Sequence, residues 1–217
     1  MHTITQLATA CLLLLAAASP AAADTVIGTP GPDVLTGTAA ADKIAGRGGD
    51  DVEHGLGGDD FLRGQIGSDR LFGGTGADNV LGGAGADLLV GGRGQDLLSG
   101  GRHSDELAGG YGDDEIHGDG APDIVGDFDL SDKNAGPADT DLLVTGPGDD
   151  TILLKGGEDR VVAGRGADTV ITYDDNARDL IDCGRNRAAV GDQVTYDGRR
   201  DPLDRLRHCE HVSVVNR

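Results

Sequence analysis

The sequence has no tryptophan, only 3% aromatic residues and few basic side chains. Its 18 Lys and Arg stand against 38 Asp and Glu, which gives a net charge of −20. Such an acidic surface argues against nucleic acid and anionic membranes as partners, because both require a basic face. The shortage of large apolar side chains argues against an ordinary globular core and leaves a disordered acidic chain as an open alternative. Cations are the partners that this composition favours.

Long hydrophobic runs are absent beyond residue 23, where no run approaches the roughly 18 residues of a membrane helix. Before that point, an apolar run from Cys11 to Ser19 leads into small residues, with Ala21 and Ala23 placed for cleavage before Asp24. This order is typical of a secretory signal peptide. We therefore expect residues 1–23 to be removed, and the mature chain to be secreted to the extracellular side and to have no membrane span.

The common catalytic motifs are also missing: the chain has no HExxH, no GxSxG and no P-loop. Some parallel β-helices act on polysaccharides as lyases or epimerases, and Arg93, Arg102 and Arg165 are candidates for a sugar-binding face in such a protein. No general base is paired with a positioned partner, however, which a catalytic site requires. The prediction is that the protein is not an enzyme, with the carbohydrate-active β-helix kept as an alternative.

Glycine is abundant instead, and it belongs to a nine-residue repeat. Residues 73–101, GGTGADNVLGGAGADLLVGGRGQDLLSGG, hold three near copies of one phrase. From Gly28 in steps of nine, the sixth position is always Asp, and the eighth is aliphatic except at Glu53 and Asn134. The sixth-position residues are Asp33, Asp42, Asp51, Asp60, Asp69, Asp78, Asp87, Asp96, Asp105, Asp114, Asp123, Asp132, Asp141, Asp150, Asp159 and Asp168. Neither chance nor selection for solubility produces such a register.

Each repeat predicts a short strand followed by a tight turn. The Asp, the next residue and the aliphatic residue form a minimal strand, whose eighth-position side chain points inward because neighbours alternate faces. The five residues before the Asp form the turn, where Gly permits positive φ and close backbone approach. Two repeats then make one coil, with Leu71, Val80, Leu89, Leu98, Leu107 and Ile116 stacked inside. Asp residues from alternate repeats form a column along each edge.

These columns predict a metal. Carboxylates on parallel strands ~4.8 Å apart repel by roughly 0.9 kcal/mol per pair even in water. Calcium relieves the repulsion, because it accepts six to eight carboxylate and carbonyl oxygens in flexible geometry. Magnesium fits less well, since its octahedral demand favours a few carboxylates plus water.

The phrases GGTGADNVL, GGAGADLLV, GGRGQDLLS and GGYGDDEIH match the GGxGxDxUx motif, and residues 28–171 thereby resemble the RTX, or hemolysin-type, calcium-binding repeats. The resemblance implies an all-β fold, a right-handed parallel β-roll or β-helix solenoid with several Ca²⁺ ions between successive turns. It also implies that the sixth-position Asp residues are the side-chain ligands, with carbonyls supplied by the turns. Asp60 to Asp114 match the motif best.

Some repeats depart from the pattern. Ala40, His103, Ala121, Leu130 and Asp139 replace the fourth-position Gly. Residues 127–135 lack both turn glycines, so we interpret them as a looped-out insertion that preserves register, and Asp132 as the least secure ligand. Glu53 faces the core in this frame, which indicates either a distorted coil or an error of register.

Residues 172–217 lack the glycine phrase and are nearly neutral. The stretches DLIDCG, DQV, DRL and CEHVSVV are typical of further short strands without metal turns, so residues 24–171 are predicted to form the calcium-binding roll and residues 172–217 its cap. Cys183 and Cys209 remain after signal cleavage, and an even pair in an exported chain indicates a disulfide. A zinc site at Cys183, His208, Cys209 and His211 is an alternative with unusual ligand spacing.

Taken together, these features predict a secreted calcium-binding repeat protein that folds on calcium and acts as an extracellular structural, adhesive or interaction module. A surface glycan or a protein is a possible further partner. A calcium-responsive partner-binding protein is the remaining alternative.

Overall fold

The structure is a computed structural model that describes residues 22–126, 139–173, 177–184, 191–198, 200 and 202–215. The predicted signal peptide up to residue 21 and the whole of the predicted insertion, including Leu130, Asp132 and Asn134, lie outside these residues. Within them the chain contains only strands, turns and bends, without a helix. The all-β prediction is confirmed.

In the described residues, twenty strands form two parallel sheets that take alternate strands of the chain. The first sheet contains β1 (Thr25–Ile27), β3 (Lys43–Gly48), β5 (Phe61–Ile66), β7 (Asn79–Ala84), β9 (Leu97–Arg102), β11 (Glu115–Gly120), β13 (Leu142–Val144), β15 (Arg160–Val162), β17 (Leu180–Asp182) and β19 (Arg205–Arg207). The second contains β2 (Val34–Thr36), β4 (Val52–Gly57), β6 (Arg70–Thr75), β8 (Leu88–Arg93), β10 (Glu106–Tyr111), β12 (Ile124–Gly126), β14 (Thr151–Leu154), β16 (Thr169–Tyr173), β18 (Gln193–Asp197) and β20 (His211–Val215). Two strands and two turns make one coil, so the chain is a parallel β-solenoid.

Most of the core consists of eighth-position side chains, which form one column in each sheet. Leu71 lies directly over Leu89, which lies over Leu107, in neighbouring strands of the second sheet. All six residues predicted to stack inside are fully buried: Leu71, Val80, Leu89, Leu98, Leu107 and Ile116. The predicted frame is therefore confirmed. Glu53 is also fully buried between Leu35 and Leu71 in the same column, so the register holds at this position too.

The turns explain the fourth-position glycines. Gly85 has φ +145°, and a Cβ on it would collide with the carbonyl oxygen of Gly67 one coil earlier. Only a residue without a side chain fits this approach without strain. His103 and Ala121 nevertheless keep a positive φ, at 78° and 137°, so these two turns retain the general backbone conformation.

Both sheets continue beyond the glycine repeats. β15 pairs with β17 and then β19, while β16 pairs with β18 and then β20. The strands predicted in the tail therefore exist, and they extend the same two columns. A disulfide joins Cys183 to Cys209, with an S–S distance of 2.05 Å. The disulfide prediction is confirmed, and the zinc alternative is wrong because both sulfurs are bonded to each other.

Candidate calcium ladders

The sixth-position Asp residues form two hydrogen-bonded ladders, one along each edge of the solenoid. At each step the backbone amide of one Asp donates to a carboxylate oxygen of the Asp in the next coil, as from Asp78 to Asp96 Oδ1 at 2.8 Å. The first ladder contains Asp24, Asp42, Asp60, Asp78, Asp96, Asp114, Asp141, Asp159, Asp179 and Asp204. The second contains Asp33, Asp51, Asp69, Asp87, Asp105, Asp123, Asp150, Asp168, Asp192 and Glu210.

These ladders bring together all fifteen predicted site residues that the structure describes. They alternate between the two edges as the two-repeat coil requires, up to Asp123. The next steps run from Asp114 to Asp141 and from Asp123 to Asp150, across 27 residues instead of 18. Both ladders therefore skip one repeat length at this point, and residues 127–135 with Asp132 lie outside the described residues.

In many of the ladder carboxylates one oxygen is used by the ladder, while the other is buried and has no hydrogen-bond partner. Asp87 shows the arrangement: Oδ1 accepts the amide of Asp69 at 2.8 Å, whereas Oδ2 has no partner although the residue is only 4% exposed. The residues with such an Oδ2 include Asp51, Asp60, Asp69, Asp78, Asp87, Asp96, Asp105, Asp114, Asp123, Asp150 and Asp168. Burying a charged oxygen without a partner is costly, so these atoms require a cation or a proton.

In most repeats the first-position residue beside this oxygen is a glycine, whose missing side chain lets the carboxylate lie close to the backbone. A Cβ on Gly82 would lie 2.5 Å from Asp87 Oδ2 and 2.7 Å from the carbonyl oxygen of Gly100 in the next coil. The same pair of oxygens, one carboxylate and one carbonyl, faces the corresponding space at Gly118, at 2.6 Å and 2.9 Å. Mixed carboxylate and carbonyl oxygens are the ligands that calcium takes. The turns therefore fit calcium.

Side chains alone do not build a metal centre here. Among the residues that the structure describes, no three His, Cys, Asp or Glu side chains are grouped to hold a metal ion. This agrees with a site that takes one carboxylate per turn and completes its ligands from the backbone.

Burial raises the pKa of the ladder carboxylates in the middle of the stack. It raises the pKa of Asp78 to about 7. The backbone amide of Asp60 lowers this pKa in part by its hydrogen bond to the carboxylate, and the negative charges of Asp96 and Asp60 raise it further. At the amino-terminal end the balance is reversed. The pKa of Asp42 lies below its usual value because the amides of Asp24 and Thr38 outweigh the effect of burial.

The core carboxylate behaves like the ladder. Burial raises the pKa of Glu53 to about 7, while the backbone amides of Gly46 and Arg63 lower it in part. The charges of Asp69 and Asp51 raise it further.

Sequence reasoning missed the ends of the ladders. Asp24, Asp179, Asp192, Asp204 and Glu210 are members, although the tail was predicted to lack the turn pattern. The signal was the acidic residue two places before an aliphatic residue, as in DLI, DQV, DRL and EHV. That spacing continues after the glycines stop.

A second set of carboxylates, at the fifth position, supports the outside of the turns. Asp50 Oδ1 accepts the amide of Ser68, and Asp59 Oδ1 accepts the amide of Ala77, both at 2.9 Å and both one coil away. Asp113 and Asp149 do the same for Thr140 and Ala167. The acidic doublets of the sequence mark these positions, which the nine-residue motif leaves variable.

The arginines considered for a sugar-binding face do not share a sheet. Arg93 lies in β8 of the second sheet and Arg102 lies in β9 of the first. Arg93 packs 5.6 Å from the ring of Tyr111. Arg165 forms an isolated bridge with Pro147. The three side chains therefore do not form one binding face.

Comparison with protein families gives a direct match to the RTX calcium-binding nonapeptide repeat, at residues 21–53, 54–89, 63–98, 99–125 and 138–170. These segments cover more than half of the chain. The chain belongs to the RTX calcium-binding nonapeptide repeat family. The RTX match omits residues 126–137, where the ladders also skip a repeat, and it ends at residue 170, close to the predicted end of the roll. None of the curated proteins compared with this RTX chain matches it.

Membership in the RTX family implies calcium binding, and the ladders supply suitable ligands. The described part of this RTX chain contains no helix that is long and apolar enough to cross a membrane.

Proposed function

We propose that this protein is a secreted calcium-binding β-roll that folds on calcium and acts outside the cell as a structural, adhesive or interaction module. The observation that carries the proposal is the repeated, buried and unpartnered Asp Oδ2 beside a glycine-lined space. Family membership supports calcium as the ion. The signal-like sequence before Asp24 supports export.

Calcium should determine whether the chain folds. The core contributes about one dependable apolar side chain per repeat, against a backbone ordering cost of ~1 to 2 kcal/mol per residue. Ions that bind only the folded form add stability by mass action. Binding and folding are therefore one event, which begins in the glycine-rich repeats and spreads through contacts between neighbouring coils.

Circular dichroism tests the folding step. The full mature chain is largely disordered in metal-free buffer and gains β structure cooperatively on addition of calcium, but not of equimolar magnesium. Full β content in excess chelator at neutral pH would contradict the proposal. A pull-down from the surface of the source cells, with and without calcium, tests the interaction role. Only partners retained in a calcium-dependent way support that role.

The protein acts without catalysis in this proposal. A glycan-binding role is the second candidate, supported by a groove of about 230 Å³ on the second sheet. Gly74, Gly92 and Gly110 line this groove together with Tyr111 and Arg93, which offer a ring and a cation to a sugar. A glycan-binding assay with the wild type and Tyr111→Ala separates the two roles, and turnover of any glycan in a depolymerisation screen would overturn the non-enzymatic assignment.

A further inference from the structure

Glu53 occupies a place that is aliphatic in almost every other repeat. It lies in β4 with Leu35 and Leu71 as its neighbours in the second sheet, and it is fully buried. A carboxylate at this position replaces apolar packing by a charge that has to be satisfied. Its surroundings therefore need an explanation beyond the core.

The side chain of Glu53 reaches across the solenoid to the first sheet. Oε2 accepts the backbone amide of Arg63 in β5 at 3.2 Å. By distance and angle, Oε1 accepts no hydrogen bond, although the nearby backbone amide of Gly46 lowers the pKa of Glu53. It points to the turn before its own strand, where it lies 2.9 Å from the position of a Cβ built on Gly46.

A second carboxylate oxygen faces the same space. The Cβ position on Gly46 also contacts Oδ2 of Asp51, the ladder residue of this turn, and that oxygen has no hydrogen-bond partner either. Both residues are fully buried. Two unpartnered carboxylate oxygens thus converge beside one glycine.

The other turns are built differently at this point. Beside Gly82 the second oxygen is the carbonyl of Gly100, and beside Gly28 it is the carbonyl of Gly46, at 2.7 Å and 2.6 Å. At Gly46 the second oxygen is Glu53 Oε1. A charged oxygen therefore lies beside Gly46 at the distance at which Gly82 and Gly28 have a neutral carbonyl oxygen.

We propose that Glu53 is a further calcium ligand, which turns the Gly46 turn into a two-carboxylate site that binds calcium more tightly than the ordinary repeat turns. This assignment rests on the proposed calcium-binding function. Calcium affinity increases with the number of charged ligands and with the rigidity of the site. Here both carboxylates are rigid, because Oε2 of Glu53 is held by β5 and Oδ1 of Asp51 by the amide of Asp33.

Two substitutions of Glu53 in the full chain separate a ligand from a misplaced core residue. Glu53→Gln keeps the size and removes the charge, while Glu53→Leu restores the aliphatic column. Titration calorimetry gives the tightest binding step, and equilibrium dialysis at low calcium counts the ions bound. We expect both variants to lose the tightest step, and Glu53→Leu to lose it despite its more apolar core.

Asp60→Asn is the matched control, because it removes the carboxylate of an ordinary turn that has a carbonyl as its second oxygen. This control should lose an ordinary site and keep the tightest step. If Glu53→Leu lowers the calcium midpoint of folding and leaves the tightest step intact, Glu53 is only a buried misfit and the assignment is overturned. An unchanged tightest step in Glu53→Gln overturns it as well. A wild-type chain that takes up no calcium overturns the proposed function itself, which distinguishes the two failures.

Discussion

The backbone amide of Asp114 donates to Oδ1 of Asp141 at 2.7 Å, across 27 residues of sequence. Every earlier step of the same ladder crosses 18 residues, as from Asp96 to Asp114. One repeat length is therefore bypassed without breaking the ladder. If the repeats alternated between the edges without interruption, Asp141 would belong to the other ladder. Because one repeat length is skipped, Asp141 and every later repeat lie on the opposite edge.

Deletion of residues 127–135 should leave the roll intact. The deletion joins Gly126 directly to Gly136, so that the strand ending at Gly126 runs straight into the next turn. We expect the calcium midpoint and the number of bound ions to remain those of the wild type. Deletion of residues 91–99 is the control of equal length, and it should lower the number of bound ions because it removes Asp96 and its turn from the ladders. Equal damage by both deletions would show that the bypassed repeat is needed.

A central ladder residue should matter more than a terminal one. Asp87→Asn removes the charge of a carboxylate whose Oδ2 has no hydrogen-bond partner, and it interrupts the second ladder in its middle. Asp42→Asn only shortens it, and Oδ2 of Asp42 already accepts the amide of Thr38. We expect Asp87→Asn to raise the calcium midpoint several-fold more than Asp42→Asn in a titration followed by circular dichroism. Equal shifts for the two variants would count against nearest-neighbour folding.

The glycine beside each carboxylate should be sensitive to a single methyl group. In Gly82→Ala the new Cβ would stand 2.5 Å from Asp87 Oδ2 and fill the proposed cation space. Overpacking of this kind costs roughly 1 to 3 kcal/mol, so we expect a lost ion and a higher calcium midpoint. Gly31→Ala is the control, because a Cβ there meets no atom within 4 Å. Calorimetry should show a normal ion count for the control, and a normal count for both would refute the placement of the site.

Without calcium, the folded state should be favoured by acid. Burial raises the pKa of Asp78, Asp105 and Asp114 to about 7, whereas an unfolded chain releases these protons near pH 4. The contribution to stability is therefore fully present below about pH 4 and is lost as the pH rises through about 7. In metal-free buffer, β content should fall between pH 4 and pH 8. In saturating calcium it should be retained at pH 8, because the ion requires ionised carboxylates. A metal-free β signal that grows with pH would contradict the raised values.

The disulfide should stabilise the end of the solenoid. It closes 26 residues between β17 and β20, and a cross-link over such a loop contributes roughly 3 kcal/mol. Reduction, or the paired change Cys183→Ser and Cys209→Ser, should therefore lower the thermal midpoint of the calcium-loaded protein. Thiol labelling of exported protein without reductant should modify neither cysteine. Labelling of both would show that the bond is absent outside the cell.

Much of the fold follows from spacing along the chain. Asp at the sixth position and an aliphatic residue at the eighth predict a two-repeat coil and two edges, because alternation of faces and tight turns are local properties. The eighth-position core residues and the calcium-type ligands follow from the same pattern, as does the pairing of two remaining cysteines.

Other features were decided only in three dimensions. An insertion of nine residues preserves the sequence register whether it forms a rung or is bypassed, so only the hydrogen bond from Asp114 to Asp141 distinguishes the two. The tail carboxylates join the ladders because β17 to β20 stack on the roll, although their turns lack the glycine phrase. The sequence predicted that Glu53 faces inward, but the direction of its carboxylate depends on contacts with β3 and β5, which lie on the opposite sheet. Spacing determines which face a residue takes, while the atoms that its side chain meets depend on how the coils pack.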